Sequence, residues 1–571
     1  MTSRRQFLQQ SAASAVGIAL PAIALAESYP ASVTQDHASP PRSFLDLKRA
    51  PDSVTVEAAT GSQRLTAARG GRWNGTAGLS VTTLVTPNAL RVDLSSPTTA
   101  VKRLHLRWRG KLDTTRLLLG DAWERGYGDL EWRGFAPDRA MPWYVAAWDG
   151  ASTHAYGVRT GAKSFCFWQM DAGGISLFAD VRSGAAGVQL GERVLTACEV
   201  VCRPGQPNES PFAAVHAFCK QMCAAPKLPS QPVYGSNDWY YAYGNNSEAT
   251  VLGDAERIVE LSPPSGNRPF AVIDDGWQPG RGKDKVGAGT WDKGNDKFPD
   301  VPGLVAKVKQ IGARPGVWIR PLEASADTPA SWRLSRERNV LDPTVPEVRQ
   351  KITEDFSRLR QWGFDLIKHD YSTYDLFGRW GFQMGTSLTK DGWTFSIGPT
   401  RTTAEVIDEL YGTIRAASGG ALIIGCNTVS HLSAGHFEIC RIGDDTSGTE
   451  WGRVRKMGVN TLAFRGAQHG AFYTADADCV GVTNAIPWEL NRQWLDLLAR
   501  SGTMLFVSLS PDALDAERRK DLKSAMALAS RPQPLGEPLD WQKTVYPTRW
   551  RSTNGERSYD WVGAEGAVPP E

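Results

Sequence analysis

After residue 233, short apolar runs alternate with segments of helical periodicity, and this alternation restricts the folds that the chain can adopt. Parallel strands buried on both faces are continuous apolar runs, and the helices between them cover the sheet. Helical periodicity is clearest at 346–362 and 403–418. Eight candidate strands are found at 233–239, 270–275, 313–320, 364–370, 421–427, 438–444, 458–464 and 503–507. Eight strands with connecting helices predict a (β/α)8 (TIM) barrel.

The connections between these strands indicate which end of the barrel is functional. The segments after the second and fourth strands, 276–301 and 371–402, are long and rich in Gly, Trp, Lys and Asp. In a barrel they lie at the carboxyl ends of the strands, where substrate sites are built. A doubly wound open sheet is the alternative fold, but no Gly-rich phosphate loop follows the first strand.

The region before the barrel has a different periodicity. From 44 to 203, short alternating strands such as 80–85, 104–108 and 193–196 are separated by Gly-rich breaks. This pattern predicts an N-terminal all-β sandwich. An amphipathic helix at about 210–223 leads into a Pro-containing linker, and a short C-terminal β remnant is expected near 540–563. The predicted domains are a β-sandwich (44–225), a catalytic barrel (226–530) and a C-terminal β segment (531–571).

The N-terminus is typical of an exported protein. Arg4-Arg5 precede an apolar stretch from Ala12 to Leu25, and Ala24-Leu25-Ala26 forms a cleavage site before Glu27. We therefore predict a twin-arginine signal peptide (1–26), a linker (27–43) and a periplasmic or secreted protein. The apolar stretch is too short for a stable span, so no membrane association is expected after cleavage.

The cysteine content and the net charge indicate the redox state of the thiols and the kinds of partner that the protein can bind. The eight cysteines could form disulfides outside the cell, but a twin-arginine substrate folds before export, so buried free thiols are expected. Lys plus Arg is 64 and Asp plus Glu is 61, which gives no indication of a nucleic-acid partner. The 21 tryptophans suit either sugar-ring stacking or core packing.

Polar side chains cluster where the apolar strands end. They are Asp274-Asp275, Lys368 with Asp370, Cys426, Arg441 with Asp444-Asp445, and Asp476 with Asp478. A single carboxylate at such a position is usually a helix cap or an ion-pair partner. Several carboxylates on one rim repel one another unless a cation or a polyhydroxylated ligand lies between them.

Two kinds of site could use these carboxylates. The aspartate pairs could bind Mg²⁺ or Ca²⁺. However, Lys368 lies two residues from Asp370, and an ammonium lowers a carboxyl pKa in a way that suits an ionised nucleophile. We therefore predict no metal and no cofactor. Glycoside cleavage needs one ionised and one protonated carboxyl group. Asp370 would be the nucleophile, and Asp444, whose pKa its neighbour Asp445 would raise, would be the acid/base.

The motifs Asn237-Asp238-Trp239, Asp274-Asp275-Gly276-Trp277, Lys368-His369-Asp370 and Gly443-Asp444-Asp445-Thr446 resemble those of glycoside hydrolase family 36 in order and approximate spacing. The resemblance extends over roughly 230–510, and an N-terminal β-sandwich before the barrel is also similar. It implies a retaining α-galactosidase that acts on an oligosaccharide or glycoside substrate.

The resemblance also implies individual roles. Asp370 matches the nucleophile, and Asp444 matches the acid/base, although the distance from Arg441 could favour Asp445. The substrate-binding residues that it implies are Asp274 and Asp275, which grip the O4 and O6 hydroxyls, Lys368, Cys426 and Arg441. Trp239, Trp277 and Trp318 are similar to pocket walls, with barrel packing as the alternative for each. Asp476 and Asp478 resemble a structural motif.

Three features differ from the family pattern. His369 stands where many members have Trp or Tyr, Asn427-Thr428 replaces a Gly-rich run, and the C-terminal β-domain is reduced. Three other functions therefore stay open. The chain could act on another glycon, such as β-L-arabinopyranose or N-acetylgalactosamine. It could be a transglycosylase whose acceptor binds at the aromatic loop 371–397, or a non-catalytic carbohydrate-binding protein.

Overall fold

The computed structural model describes residues 44–280, 288–334, 339–564 and 566. The predicted signal peptide (1–26) and linker (27–43) lie outside the described residues. Among the helices of the described ranges, none is both long enough and apolar enough to cross a membrane.

The N-terminal part of the chain forms two antiparallel sheets, called here the N-terminal sheets. The first has the spatial order Gly61–Arg64, Ser53–Ala58, Val101–Arg109, Gly174–Asp180, Phe165–Asp171 and Met141–Pro142. The second has the order Thr66–Ala67, Arg72–Asn74, Ser80–Val85, Leu90–Ser95, Val194–Arg203, Thr153–Val158, Tyr144–Trp148 and Leu117–Gly120. The strands predicted at 80–85, 104–108 and 193–196 are confirmed.

Alternation of buried and exposed side chains explains these strands. In Val101–Arg109, residues Leu104, Leu106 and Trp108 are fully buried, whereas the residues between them are partly exposed. This period of two gives a strand one apolar face, and both N-terminal sheets contribute to the same hydrophobic core. The predicted helix near 210–223 is confirmed as Pro211–Met222, with Ser210 as its N-cap.

The C-terminal part is built on one parallel sheet. Its strands are β1 (Tyr234–Asn237), β2 (Phe270–Ile273), β3 (Arg314–Ile319), β4 (Leu366–His369), β5 (Leu422–Gly425), β6 (Ile439–Arg441), β7 (Thr474–Asp476), β8 (Cys479–Val482) and β9 (Leu505–Leu509). The spatial order is β7-β6-β5-β4-β3-β2-β1-β9-β8, and every pair is parallel. Nearly every residue in these strands is buried, as the predicted apolar runs require.

The two outermost strands of this sheet are consecutive in the chain. β7 pairs with β6, and β8 pairs with β9. Only Ala477 and Asp478 lie between β7 and β8 in the chain. Asp478 has a left-handed backbone with φ 74°. The two edge strands are therefore joined by a two-residue break, and the carboxyl ends of the parallel strands lie on one side of the sheet, called here the rim.

Helices connect the parallel strands, and local sequence sets their limits. Ser247 and Thr402 form capping boxes at the helices that follow them, and Gly312 ends Val301–Ile311 with φ 109°. The helices predicted at 346–362 and 403–418 are confirmed, with the limits given below. The longer helices are Glu248–Leu261, Val301–Ile311, Pro346–Gln361, Thr403–Ala417, Trp488–Arg500 and Ala516–Ala529. The shorter ones are Trp239–Ala242, Ser372–Phe377, Gly381–Met384, Ser430–Ser433, Trp451–Arg453, the π-helix Val454–Asn460, and Thr461–Arg465.

The predicted strand at 458–464 is wrong. These residues belong to the π-helix Val454–Asn460 and the helix Thr461–Arg465, and the strand at this position in the sheet is β7, at Thr474–Asp476. Val459, Leu462 and Phe464 are all buried because this helix packs among other elements on several sides. A short, fully buried helix is as apolar as a buried strand, so periodicity does not separate the two.

The C-terminal segment forms a small antiparallel sheet of Glu537–Pro538, Arg549–Ser552 and Gly555–Ser558. Its Trp541 packs against Trp132 of the N-terminal region and Phe464. All eight cysteines are buried and free, as predicted.

Candidate active site

The polar residues predicted at the strand ends form one buried charged group on the rim of the parallel sheet. Lys368, in β4, is surrounded by charges from Asp274, Arg441 and Asp370. Burial is the largest single influence and opposes its protonation, but the attractions of Asp274, Cys426 and Asp370 together raise the pKa of Lys368 above its ordinary value. The side chain is therefore a permanent cation at the centre of the rim.

Asp274 follows β2 and is held from three directions. Its Oδ2 accepts hydrogen bonds from the Lys368 Nζ at 2.5 Å and from the Asn237 Nδ2 at 2.7 Å. Its Oδ1 accepts from the backbone N–H of Asp275 at 2.8 Å. The carboxylate is fixed in one orientation, as a residue that recognises a hydroxyl group must be.

Asp238, at the end of β1, supports Asp274 from behind. Its Oδ1 accepts from the backbone N–H of Asp274 at 2.9 Å, and its Oδ2 accepts from the Asn246 Nδ2 at 3.0 Å. Burial and the charges of Asp274 and Asp254 raise the pKa of Asp238 to about 8. The group is thus a neutral acid at pH 7, which limits repulsion between two adjacent carboxyl groups.

Asp370 follows β4 directly and is almost completely buried. Its Oδ2 accepts a hydrogen bond from the Trp318 Nε1 at 3.1 Å, and its Oδ1 accepts from the backbone N–H of Tyr371 at 2.8 Å. Tyr371 has φ 66°, a left-handed backbone that is costly for a residue with a large side chain. This conformation turns the N–H toward the carboxylate, so both oxygens of Asp370 have donors that favour its ionised form.

Arg441, in β6, joins the carboxylates on the opposite part of the rim. Its Nε is 3.0 Å from Asp476, its Nη2 is 2.8 Å from Asp478 and its Nη1 is 3.4 Å from Asp445. The second oxygen of Asp478 accepts from the backbone N–H of Thr446 at 2.7 Å and from the Tyr240 hydroxyl. Asp478 thereby ties the break after β7 to the loop that carries Asp444 and Asp445.

Asp444 lies between two guanidinium groups. The Arg125 Nη2 is 2.7 Å from its Oδ1, and the Arg453 Nη2 is 3.0 Å from its Oδ2. Arg453 is partly buried, which lowers its pKa, yet the charges of Asp444 and Asp445 raise its pKa above the ordinary value. Two cations at contact distance stabilise the ionised form of Asp444.

Arg125 comes from the N-terminal region, on a segment that spans residues 121–127. Gly126 exchanges backbone hydrogen bonds with this rim: its N–H donates to Ile442 and its carbonyl accepts from Asp444. Asp121 forms a buried ion pair with Arg465 at 2.8 Å. The N-terminal region therefore supplies part of the candidate site.

The three predicted pocket tryptophans have different surroundings. Trp277 is 1% exposed, packs against Trp291 and Trp362, and donates from its Nε1 to the Trp318 carbonyl. Trp277 therefore packs in the hydrophobic core beside Trp318, and its role as a pocket wall stays a prediction. Trp318 contacts Asp370, as described above, and Trp239 is partly exposed beside Tyr243.

Two other predicted residues also lie on the rim. Asp275 is partly exposed, and its Oδ1 accepts from the Gln278 Nε2 at 2.7 Å. Cys426 is buried, and its pKa is raised by burial and by the charge of Asp370. The Arg125 Nη1 approaches the Cys426 Sγ at 3.9 Å, so Cys426 lies between the nucleophile candidate and the N-terminal segment.

The residues that depart from the family pattern also have defined positions. His369 points into an aromatic cage of Phe356, Tyr411 and Phe437, where burial lowers its pKa to about 3. The His369 ring is therefore neutral at neutral pH and packs among aromatic side chains. Asn427 donates from its Nδ2 to Glu124 of the N-terminal segment, and its Oδ1 accepts from the backbone N–H of Tyr374.

The residues that the sequence did not indicate are Arg125 and Arg453. Asn237 and Asp238 belong to one of the motifs that resemble family 36, but no role was predicted for them; both end an apolar strand, so the rule that identified Asp274 also applies to them. Arg125 lies about 300 residues before the residues that it contacts, and the sequence around it carries no corresponding signal. Among the described residues, no group of His, Cys, Asp or Glu side chains has the arrangement of a metal site.

Comparison with known proteins gives matches in sequence and in fold. No protein-family model matches the chain. An α-galactosidase of Escherichia coli is 26% identical over 204 residues, which are 33% of this chain and 28% of that protein. The α-galactosidase AgaA of Geobacillus stearothermophilus is 27% identical over 125 residues, which are 21% of this chain and 16% of that protein. The aligned regions thus span less than a third of these curated relatives.

Solved structures match over most of the chain. The α-galactosidase of Thermus thermophilus, in complex with p-nitrophenyl α-D-galactopyranoside, has a TM-score of 0.57 at 16% identity and covers 89% of this chain and 99% of its own. The family-36 α-galactosidase AgaA of Geobacillus stearothermophilus has a TM-score of 0.55 at 15% identity, over 84% of this chain and 75% of its own. At these identities the likeness establishes a shared fold. Together with the two sequence matches, it confirms the resemblance to glycoside hydrolase family 36.

Proposed function

We propose that this chain, a relative of the family-36 α-galactosidases, is a glycoside hydrolase that removes terminal α-galactosyl residues. The observation that carries the proposal is the setting of Asp370. Its two carboxylate oxygens are held by Trp318 and Tyr371 beside the permanently charged Lys368. A fixed, ionised carboxylate on a rim of hydroxyl-binding groups is what attack on an anomeric carbon requires.

Asp274, Asp275 and Lys368 are proposed to select the sugar. Carboxylates accept hydrogen bonds from hydroxyl groups, and the Lys368 ammonium donates to a hydroxyl oxygen. Because Asp274 is held by three donors, it offers its remaining acceptor positions in fixed directions. A sugar whose hydroxyl points elsewhere would leave these buried groups unpaired, so an axial O4, as in galactose, is favoured over an equatorial one.

The proposed reaction is a double displacement with retention of configuration. An Asp370 oxygen attacks C1, the bond from C1 to the glycosidic oxygen breaks, and the acid residue gives its proton to the departing oxygen. The same residue, now ionised, removes a proton from water. The resulting oxygen attacks C1, the bond to Asp370 breaks, and the sugar is released with its original anomeric configuration.

The surroundings of the two acid/base candidates favour Asp445 over Asp444. Asp444 is in contact with Arg125 and Arg453, and two cations oppose its protonation. The Asp445 side chain is 3.4 Å from Arg441, whose charge is shared with Asp476 and Asp478. The charge of Arg453 also acts on Asp445, but Arg453 forms its side-chain ion pair with Asp444. We therefore assign proton transfer to Asp445. Asp444 is then an anion that fixes Arg125 and Arg453 on the rim.

We extend the proposal to the architecture and to export. The N-terminal sheets would form a β-sandwich domain (44–225), the parallel sheet a (β/α)8 barrel (226–530) and the last strands a reduced C-terminal segment (531–571). Export would use the twin-arginine signal in 1–26. Replacing Arg4 and Arg5 by lysine should retain the protein in the cytoplasmic fraction, while the unchanged chain should be exported.

A glycoside screen tests the proposed activity. Mature protein that begins at Glu27 should hydrolyse p-nitrophenyl α-galactoside faster than the corresponding α-glucoside, β-L-arabinopyranoside and α-N-acetylgalactosaminide. Asp370→Asn should remove this activity because an amide is a poor nucleophile. Faster cleavage of another glycoside would change the proposed sugar specificity but would not contradict the proposed mechanism. If the protein cleaves no glycoside, the proposal is wrong.

A further inference from the structure

Asn427, which follows β5, holds the first turn of the helix that begins just after the nucleophile candidate. Its backbone carbonyl accepts hydrogen bonds from the Thr373 N–H at 3.1 Å, the Thr373 hydroxyl at 3.1 Å and the Ser372 hydroxyl at 3.2 Å. Its Oδ1 accepts from the Tyr374 N–H at 3.0 Å. One fully buried residue thus receives four hydrogen bonds from three consecutive residues of the helix Ser372–Phe377.

This helix has no capping side chain of its own. Its N-cap position is Tyr371, whose side chain makes no capping hydrogen bond. The first N–H groups of a helix have no partner within the helix, and a Ser, Thr, Asp or Asn at the N-cap normally accepts from them. Asn427 supplies these acceptors from the end of a different strand. The start of the helix therefore depends on a residue that is distant in the sequence.

The backbone of Tyr371 links this helix to the nucleophile candidate. Tyr371 has φ 66°, and its N–H donates to the Asp370 Oδ1 at 2.8 Å. A left-handed backbone is unfavourable for a side chain of this size unless its neighbours hold it. On one side the Asp370 N–H donates to the Ile319 carbonyl at 3.0 Å, and on the other side the helix is bonded to Asn427. If the helix is released, Tyr371 can relax and turn its N–H away from the carboxylate.

Glu124 of the N-terminal segment holds Asn427 in turn. Its Oε2 accepts a hydrogen bond from the Asn427 Nδ2. Its Oε1 accepts from the Gly381 N–H at 2.9 Å and from the Tyr127 hydroxyl. Glu124 is as completely buried as Asn427, so the loss of a partner is not compensated by solvent. The contact with Glu124 therefore fixes the Asn427 amide with its Oδ1 toward Tyr374.

We propose that Asn427 is a positioning residue for the nucleophile Asp370, and that Glu124 of the N-terminal region sets its orientation. Asn427 acts through Tyr371, whose N–H holds the carboxylate in the direction of attack. The inference rests on the proposed function and adds two residues to it. Asn427 is also one of the positions at which the sequence differs from the family pattern, and a glycine in its place has no side chain to bond Tyr374 or Glu124.

An exchange of the two partners tests the inference. Asn427→Asp places a second carboxyl group against Glu124, and Glu124→Gln places a second amide donor against Asn427, so each single change opposes the hydrogen bond between them. In the double variant the new amide donates to the new carboxylate, and the bond is restored in the opposite direction. The remaining oxygens can still accept from Tyr374 on one side and from Gly381 and Tyr127 on the other.

Two measurements separate positioning from a general loss of structure. The kcat/KM for α-galactosyl fluoride reports the attack of Asp370, because fluoride leaves without a proton. Competitive inhibition by galactose reports binding to Asp274 and Lys368, which the substitutions do not touch. Each single variant should lower kcat/KM about 10- to 100-fold and leave the galactose inhibition constant within about 2-fold of wild type. The double variant should recover kcat/KM to within about 3-fold of wild type.

Asn267→Asp is the matched control. Asn267 precedes β2, at the end of the strands opposite the rim, and its Nδ2 donates to the Pro232 and Ser530 carbonyls, at 3.0 Å in each case. This substitution also replaces an amide donor by a carboxyl oxygen, but it is remote from Asp370. It should change neither kcat/KM nor the galactose inhibition constant.

The other outcomes contradict either the inference or the proposed function. Wild-type kcat/KM in either single variant, equal losses of kcat/KM and of galactose affinity, or a double variant no more active than the single ones would overturn the positioning role and leave the proposed function intact. If the unchanged protein does not cleave the fluoride, the proposed function itself fails. If circular dichroism shows that Asn427→Asp does not fold, the same two measurements on Glu124→Gln decide the question.

Discussion

Arg125 of the N-terminal region lies 2.7 Å from Asp444, which follows β6 of the parallel sheet. Both side chains are nearly buried, with exposures of 1% and 10%. An ion pair in such surroundings is strong only when both partners stay in place, and removal of one leaves an uncompensated charge. The candidate site is therefore complete only when the N-terminal region is docked on the rim.

Replacement of Arg125 should lower kcat but leave the preference for the galactosyl group unchanged. Arg125→Met should lower kcat at least 10-fold on galactosyl fluoride because Asp444 loses one of its two cations and the rim rearranges. Arg125→Lys keeps the charge and should recover part of the loss. Arg49→Met, at an exposed ion pair in the N-terminal region, is the control. Wild-type kcat in Arg125→Met would contradict a role for this contact.

The ion pair that anchors the N-terminal segment should contribute strongly to stability. Asp121 and Arg465 are 2.8 Å apart and at most 1% exposed. Arg465→Met leaves a buried carboxylate without its cation and should lower the free energy of unfolding by ~3–5 kcal/mol in urea denaturation. The exposed pair Arg492–Glu517 offers a matched comparison, and Arg492→Met should cost less than ~1 kcal/mol. Equal effects of the two substitutions would show that burial of the pair does not matter.

Substrates with different leaving groups can decide whether Asp445 or Asp444 is the acid/base residue. Asp445→Asn should lower kcat/KM on an unactivated disaccharide about 10²- to 10⁴-fold, with a much smaller loss on galactosyl fluoride, whose departure needs no proton. Asp444→Asn should affect both substrates equally. If instead Asp444→Asn impairs only the disaccharide reaction and Asp445→Asn impairs both reactions equally, Asp444 is the acid/base residue.

Asp238 should make stability depend on pH in the direction opposite to that of an ion-paired carboxylate. Its pKa in the folded protein is about 8, well above its ordinary value. Between pH 5 and pH 7 the folded state therefore holds a proton on Asp238 that the unfolded state has released, so the contribution of Asp238 to the free energy of unfolding falls as pH rises, by about 1.4 kcal/mol per pH unit.

Asp238→Asn removes this titration and mimics the neutral acid. The difference in unfolding free energy between the variant and wild type should increase in favour of the variant from pH 5 to pH 7, because the other titrating groups are common to both proteins. Urea denaturation at three pH values measures this difference. A difference that stays constant with pH would mean that Asp238 is ionised in the folded state.

Much of the site was predictable from the strand ends. A run of apolar residues that stops at Asp274 or Lys368 identifies both a buried strand and a side chain at its carboxyl end, and parallel strands bring such ends together. The helix at 458–464 was not predictable in this way, because complete burial gives it the same apolar run as a strand.

The contribution of Arg125 could not be predicted for a different reason. Its segment has no apolar periodicity, and its contacts with Asp444 and Cys426 depend on how the N-terminal region docks. Local sequence carries no information on such long-range contacts. Trp277 illustrates the same limit, since its contacts with Trp291 and Trp362 depend on how distant parts of the chain pack.

Azide rescue shows whether Asp370 attacks the anomeric carbon of an α-galactoside. Asp370→Gly leaves room for azide in place of the missing carboxylate. With an activated α-galactoside and external azide, we expect recovery of turnover and β-galactosyl azide as the product, because azide attacks from the side that Asp370 occupied. Formation of α-galactosyl azide, or near-wild-type hydrolysis by the variant without azide, would show that Asp370 is not the nucleophile.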